Sequence, residues 1–354
     1  MNEITPFTPQ KVYCLHSHWT KIKDWYEHKL SDLPFAWTVS VDPATTCQMK
    51  CWKCNSEFLL DKSKRHTLSE QYLDELVEFL SKWGTKGTCF GGSGEGLMNP
   101  HTGTCMKKLK ERGVGSSLIT NGLLIHKHPD LKYADFVGIS VDAASPKIWA
   151  EVHGIKNERL FDKVLENMQW LIDKNVQTTF KFLLRPHSIH EVYHAAKIAS
   201  EMECFALHIR PCEPTWWQDN KEHFFTSKDR DEVNKQINNA REDFSNIKIV
   251  GIFDKVGKNW EIVHPFKKCW AVLASTVFTS NQGFCMCCDR RSDKQVSFGP
   301  MEHPENILDF WGSDDHRKLV ENICVDRCPR CTWATYNKYF EEAVLLDGFM
   351  LDFI

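Results

Sequence analysis

The sequence predicts an α/β protein built on a parallel sheet, followed by a small cysteine-rich α+β domain. Three observations carry this expectation. Six β-rich runs between residues 35 and 210 alternate with segments of helical period, the pattern of strand–helix–strand units with right-handed crossovers. Cysteine and polar residues gather directly after those runs, where parallel strands of a barrel deliver functional groups. Beyond residue 226 the texture changes to a charged helix, short strands and crowded cysteines.

Taken in order, residues 1–33 form a polar, aromatic-containing arm. Residues 35–41 are β-rich and alternating, and give the first strand. Thr67-Leu68-Ser69-Glu70 has capping-box spacing and opens a helix through about Leu80. Its apolar Leu73, Leu76, Val77 and Leu80 recur at helical spacing. A second strand ends at Phe90, a short helix lies near residues 106–112, and residues 116–120 form a third strand before Asn121-Gly122. Residues 136–142 read as the fourth strand. Residues 158–174 are an amphipathic helix with Leu160, Val164, Met168 and Leu171 on one face. Residues 178–184 are the fifth strand, ending in Arg185-Pro186; residues 190–203 are a helix and 206–210 the sixth strand. Residues 227–244 form a linking helix. Short strands follow at 247–250 and 275–279, the second turned by Asn281-Gln282-Gly283 into a hairpin with 284–286. The divisions are therefore an arm at 1–33, the strand–helix domain at 34–226 and the C-terminal domain at 227–354.

Composition bounds the function. The 354 residues are 42% hydrophobic and 26% charged, an ordinary globular balance with material for a sizeable core. A net charge of −3 gives no reason to expect nucleic acid or a membrane surface as a partner. No apolar run reaches the length of a membrane span. Met1-Asn2-Glu3-Ile4-Thr5-Pro6 lacks the basic-then-apolar pattern of a signal peptide, so a cytoplasmic location is expected. Fifteen cysteines in such a chain point to metal or redox chemistry rather than to disulfides.

The most informative stretch is Cys47-Gln48-Met49-Lys50-Cys51-Trp52-Lys53-Cys54. Three cysteines at C-x3-C-x2-C spacing after a strand suit an iron–sulfur cluster held by three thiolates, with a fourth iron open. A structural zinc site calls for four ligands, commonly as two separated pairs. A zinc knuckle or plain buried cysteines are the plainer readings.

Gly91-Gly92-Ser93-Gly94-Glu95 follows the second strand. With both motifs, in this order and each after a strand, residues 35–335 resemble the radical S-adenosylmethionine (radical SAM) enzymes. The resemblance implies a partial (β/α)6 TIM-like barrel. It implies Cys47, Cys51 and Cys54 as ligands of a [4Fe-4S] cluster whose open iron is chelated by S-adenosylmethionine. Gly91, Gly92 and Gly94 would let backbone carbonyls approach the methionine ammonium, with Glu95 in support. Asn121, Ser140 and Arg185 would hold the ribose hydroxyls and the methionine carboxylate, for which an arginine fork is suited. A turn asparagine, a strand serine and a surface arginine are the plainer readings of these three. The chain departs from the family in Lys53, where an aromatic residue often packs near adenine, and in Gly96, where proline is usual. Trp52, Asp142 and His153-Gly154 stay unassigned, as does the catalytic acid or base.

Cys269, Gly283 and Cys288 match the C-x(9–15)-G-x4-C opening of SPASM and twitch extensions, and Cys328 and Cys331 would close it. Residues 289–323 contain no cysteine, which favours one auxiliary [4Fe-4S] cluster over two. Cys287 is an alternative second ligand, Cys324 an alternative distal one, and zinc the plainer occupant. The resulting expectation is reductive cleavage of S-adenosylmethionine and hydrogen abstraction from a polar small molecule (a sugar, aminoglycoside or nucleotide-like metabolite), giving oxidation or epimerisation. The electron donor would be of flavodoxin or ferredoxin type. The alternatives are peptide or protein side-chain modification by the same chemistry, and a non-catalytic iron–sulfur electron carrier.

Overall fold

The strands form where β-branched and aromatic residues alternate, and the helices where apolar residues recur every three or four positions. A computed structural model of the chain describes residues 12, 14–57, 65–212, 225–251, 263–328 and 330–345. The barrel half runs β1 (Thr38–Val41), α2 (Glu70–Trp83), β2 (Gly87–Phe90), α3 (Thr102–Glu111), β3 (Gly115–Thr120), β4 (Phe136–Ser140), α4 (Pro146–His153), α5 (Leu160–Asp173), β5 (Gln177–Leu184), α6 (Val192–Glu201) and β6 (Ala206–Pro211). A helix α1 (His16–Tyr26) precedes it. After it come α7 (Ser227–Asp243), β7 (Lys248–Gly251), β8 (Ser275–Phe278), β9 (Phe284–Cys285), β10 (Ser297–Phe298), α8 (Asp314–Asn322) and α9 (Ala334–Tyr339).

One ten-stranded sheet joins them in the order β10-β9-β8-β1-β2-β3-β4-β5-β6-β7. Strands β1 to β7 pair in parallel with their sequence neighbours, and β8 adds in parallel to the other side of β1. The β9 and β10 strands continue antiparallel, so the expected hairpin at 275–286 is present. This is a partial TIM-like barrel with α helices between its strands, except that β3 and β4 are joined by short 3-10 turns. Beyond the six expected strands, the short runs near 248 and 275 also join the parallel sheet. The four residues of β4 before Ser140 are buried throughout, as befits a central parallel strand covered on both faces.

Local chemistry sets the helix ends. The start of α2 falls two residues later than the capping box at Thr67 suggests. Ser69 is the cap, accepting from the Tyr72 amide at 3.1 Å, while Thr67 bridges to Ala44. Gly84, at φ 100°, ends α2 in the left-handed conformation. In α7, Thr226 and Asp229 cap reciprocally. Helices α1, α4, α8 and α9 are found in addition to those expected.

Within the stretch read as an arm, the described residues include α1, which packs into the core. Trp19, Ile22 and Trp25 of α1 are fully buried. Trp19 packs edge-on to Phe340 at 5.2 Å, and His16 Nδ1 meets the Tyr339 hydroxyl at 2.9 Å. Arg317 of α8 lies 4.1 Å over the Trp25 ring and donates to the Trp25 and Tyr26 carbonyls. The N-terminal helix thus closes the core against the C-terminal segment. A cavity of about 310 Å³ between them, lined by His18, Trp37, Ser275 and Trp333, lies at the amino ends of β1 and β8. Among the described residues no helix is long and apolar enough to cross a membrane.

His316 fastens this corner. Its Nε2 faces the Val272 carbonyl at 2.8 Å, its Nδ1 accepts from the Gly312 amide, and burial pushes its pKa down to about 4. The unfolded chain takes up that proton near pH 6.5 and the folded one only near 4. Between those values the unfolded state binds more protons, so stability falls as pH falls. Acidification from pH 7 to pH 5 should therefore cost the wild type roughly 2 kcal/mol that His316→Gln does not lose. Urea unfolding of both proteins at the two pH values measures the difference.

Candidate functional site

Because the strands are parallel, the loops after β1, β2, β3, β4 and β5 all leave from one rim of the sheet. The cysteine loop after β1 is held to its neighbours by backbone hydrogen bonds. Thr46 O accepts from the Glu95 amide at 2.9 Å, and Ser56 donates to the Gly92 carbonyl. On the other side the Lys50 and Trp52 amides donate to His153 and Val152 carbonyls, both at 3.0 Å. Met49 plugs the loop into the core. Lys53 takes the left-handed conformation at φ 51°.

The three thiols of this loop are half-buried. Burial pushes all three pKa values up, Cys47 to about 11, and neighbouring sulfurs add to the rise at Cys47 and Cys51. A cation bound among them would reverse this, since a coordinating thiol is deprotonated. The donor set therefore fits a cationic iron–sulfur group. Among the described residues, no three His, Cys, Asp or Glu side chains stand close enough to hold a single metal ion. Asn121 turns its amide toward Cys47 Sγ at 3.9 Å and accepts from Gln48 at 3.1 Å.

His153, unassigned from the sequence, is fully buried against this loop. Its Nδ1 lies 3.1 Å from Cys51 Sγ and its Nε2 3.0 Å from the Val141 carbonyl. A carbonyl can only accept, so Nε2 carries the proton and Nδ1 accepts from the thiol. A side chain on Gly154, at φ 62°, would strike the Lys50 carbonyl at 2.3 Å. Only contacts between residues a hundred positions apart reveal this pair.

In the glycine loop, the missing side chains are accounted for by the protein itself. A Cβ on Gly92 would meet the Arg291 guanidinium at 2.2 Å, and one on Gly94 the Thr46 carbonyl at 2.7 Å. Glu95 is completely buried. It accepts from Thr120 Oγ1 at 2.6 Å, the Asn121 amide at 2.8 Å and the Leu97 amide at 3.1 Å. Burial raises its pKa and these donors oppose the rise. Its carboxylate braces the glycine loop against the end of β3.

Arg185 is not a surface arginine. It forms a buried ion pair with Asp142 at 2.9 Å, and its Nε reaches the Trp52 carbonyl at 3.4 Å. Asp142, at φ 61°, also accepts from the Leu183 amide. Trp52 packs edge-on to His187 at 5.5 Å. Ser140 ends β4, partly exposed on the same rim.

The C-terminal cysteines form a second group. Asn337, fully buried, places its amide 3.9 Å from Cys269 Sγ and 4.0 Å from Cys331 Sγ. Asp289 clamps the two cysteine loops together, accepting from Arg330 Nε at 2.8 Å and from Thr332. Burial raises the Cys269 thiol to about 11 and the Cys288 thiol to about 12, and lifts Cys328. Cys287 is raised by burial and then by Cys288, Asp289 and Cys269, whereas Arg291 and Thr332 act on Cys288. Cys324 is exposed.

Residues 41–199 match the family model of the radical SAM superfamily. That stretch is a radical SAM domain. The cofactors of this superfamily are S-adenosylmethionine and a [4Fe-4S] cluster. A search of curated proteins finds no significant match. Among solved structures, the chain is similar to Streptococcus suis SuiB bound to S-adenosylmethionine (14% identity, TM-score 0.61, 91% of this chain and 75% of SuiB). It is likewise similar to SuiB bound to its precursor peptide SuiA (15%, 0.63, 91% and 74%) and to anSMEcpe with AdoMet and the Kp18Cys peptide (16%, 0.59, 85% and 88%). These likenesses extend the radical SAM fold through the C-terminal segment.

Replacing Glu95 by glutamine turns one acceptor oxygen into a donor facing hydroxyl or amide donors. Glu95→Gln should destabilise the protein by about 2 kcal/mol at pH 7, read from the urea midpoint. An unchanged midpoint would deny the carboxylate its bracing role.

Proposed function

We propose that this radical SAM enzyme modifies a peptide or protein side chain. Cys47, Cys51 and Cys54 are the proposed cluster thiolates. The observation that carries this is the fastening of their loop to the glycine loop, through Glu95 N to Thr46 O and Ser56 to Gly92 O. A [4Fe-4S] cluster held by these three thiolates would supply the reducing electron for cleavage of S-adenosylmethionine. The chain's own task is to hold the cofactor and exclude water. The carbonyls of Gly91, Gly92 and Gly94 face the methionine ammonium in this reading. Glu95 acts on it only through the shape of the loop. Asn121 and Ser140 take the ribose hydroxyls. Arg185 gives Nη1 and Nε to Asp142 and Trp52, which leaves Nη2 for the methionine carboxylate.

A second, auxiliary [4Fe-4S] cluster is proposed at Cys269, Cys328, Cys331 and one of the adjacent pair. Motif spacing makes Cys288 that member, with Cys287 the adjacent alternative. The reducing electrons come from a flavodoxin- or ferredoxin-type donor.

The peptide assignment draws on the shared fold of SuiB and anSMEcpe, both of which hold peptides. The docking of α1 onto the C-terminal segment favours the competing small-molecule reading, because it leaves α1 no role as a separate peptide-recognition module. Reconstituted enzyme incubated separately with peptide pools and metabolite pools separates the two when 5′-deoxyadenosine is scored. Release above background with peptides is the expected result. Release with metabolites alone would overturn the peptide assignment.

A further inference from the structure

Arg291 lies three residues beyond Cys288, on the auxiliary cysteine loop, yet its guanidinium ends at the rim of the barrel. Nε donates to Asp42 Oδ2 at 2.6 Å and Nη2 to Asp42 Oδ1 at 3.0 Å, a two-pronged ion pair across 249 residues. The same Nη2 reaches the Gly91 carbonyl at 3.4 Å, and Nη1 donates to the Cys288 carbonyl. Asp42 is fully buried. Its amide donates to Phe278 O at 2.8 Å and its carboxylate also accepts from the Ser93 hydroxyl. Three loops therefore meet at one carboxylate: the cysteine loop that begins after β1, the glycine loop after β2 and the auxiliary cysteine loop after β9. Gly92 has no room for a side chain because Arg291 fills that space.

We infer that Arg291 is a positioning residue for S-adenosylmethionine, through which the auxiliary cysteine loop holds the glycine loop in its binding shape. The inference rests on the proposed function for the identity of the ligand. Its physical content is that a planar fork joins a carboxylate, a glycine-loop carbonyl and a cysteine-loop carbonyl at once, which a lysine ammonium on a flexible stem does not reproduce. Order in the auxiliary loop is then felt at the cofactor site without any electron passing between them.

The test compares reconstituted wild type with Arg291→Lys, which keeps a positive charge beside Asp42. Arg317→Gln, remote from all three loops, serves as a control for general loosening. Calorimetric titration with S-adenosylmethionine should give a Kd about tenfold weaker for Arg291→Lys, the worth of one charge-assisted hydrogen bond. Arg317→Gln should stay within about twofold of wild type. Without any cluster, amide hydrogen exchange over residues 88–95 should be faster in Arg291→Lys. Should that variant fail to fold, the paired replacement of Asp42→Leu with Arg291→Met, which leaves no unpaired buried charge, carries the same two readouts. Wild-type affinity and unchanged exchange in the folded variant would overturn the inference alone. A wild type that binds no S-adenosylmethionine would overturn both it and the proposed function.

Discussion

A parallel sheet delivers every following loop to the same rim, and the candidate site depends on that constraint. Five successive strands place the Cys47–Cys54 loop, the glycine loop, Asn121, Ser140 and Arg185 side by side, although they span more than a hundred residues of chain. Short strands suffice because their pairing is continuous; β1 and β2 have four residues each and are flanked on both sides.

The rim is also where charge is buried. Asp142 with Arg185, Asp42 with Arg291 and Glu95 with its three donors are all nearly inaccessible. Such pairs add little net stability, since desolvation offsets attraction, but removing one partner costs several kcal/mol. Their consequence is geometric: each adds a side-chain tie between neighbouring loops. The sulfur groups then sit on loops whose backbones are already set.

The periodic parts of the chain were legible without coordinates. Parallel strands, the amphipathic α5 and the hairpin after residue 275 follow from alternation, helical spacing and turn residues. The two cysteine groups and the glycine loop follow from motif spacing. Long-range partners were not legible. Nothing local distinguishes α1 from a solvated arm, because its burial comes from Phe340, Tyr339 and Arg317 some three hundred residues later. Arg185 gives the same pattern whether it awaits a ligand carboxylate or pairs with Asp142. His153 was left unassigned and Arg291 belongs to no motif, because their contacts reach across 102 and 249 residues. Glu95 was legible as a position but not as a brace, since its donors lie on the next strand.

The most direct measurement is iron and sulfide per chain after anaerobic reconstitution, together with dithionite-driven cleavage of S-adenosylmethionine. Wild type is measured beside a variant with Cys47, Cys51 and Cys54 all changed to alanine. About eight irons in the wild type, with about four retained and cleavage lost in the variant, is the expected result. Zinc in place of iron, or cleavage that survives the triple replacement, would contradict the assignment of the radical site to the loop after β1.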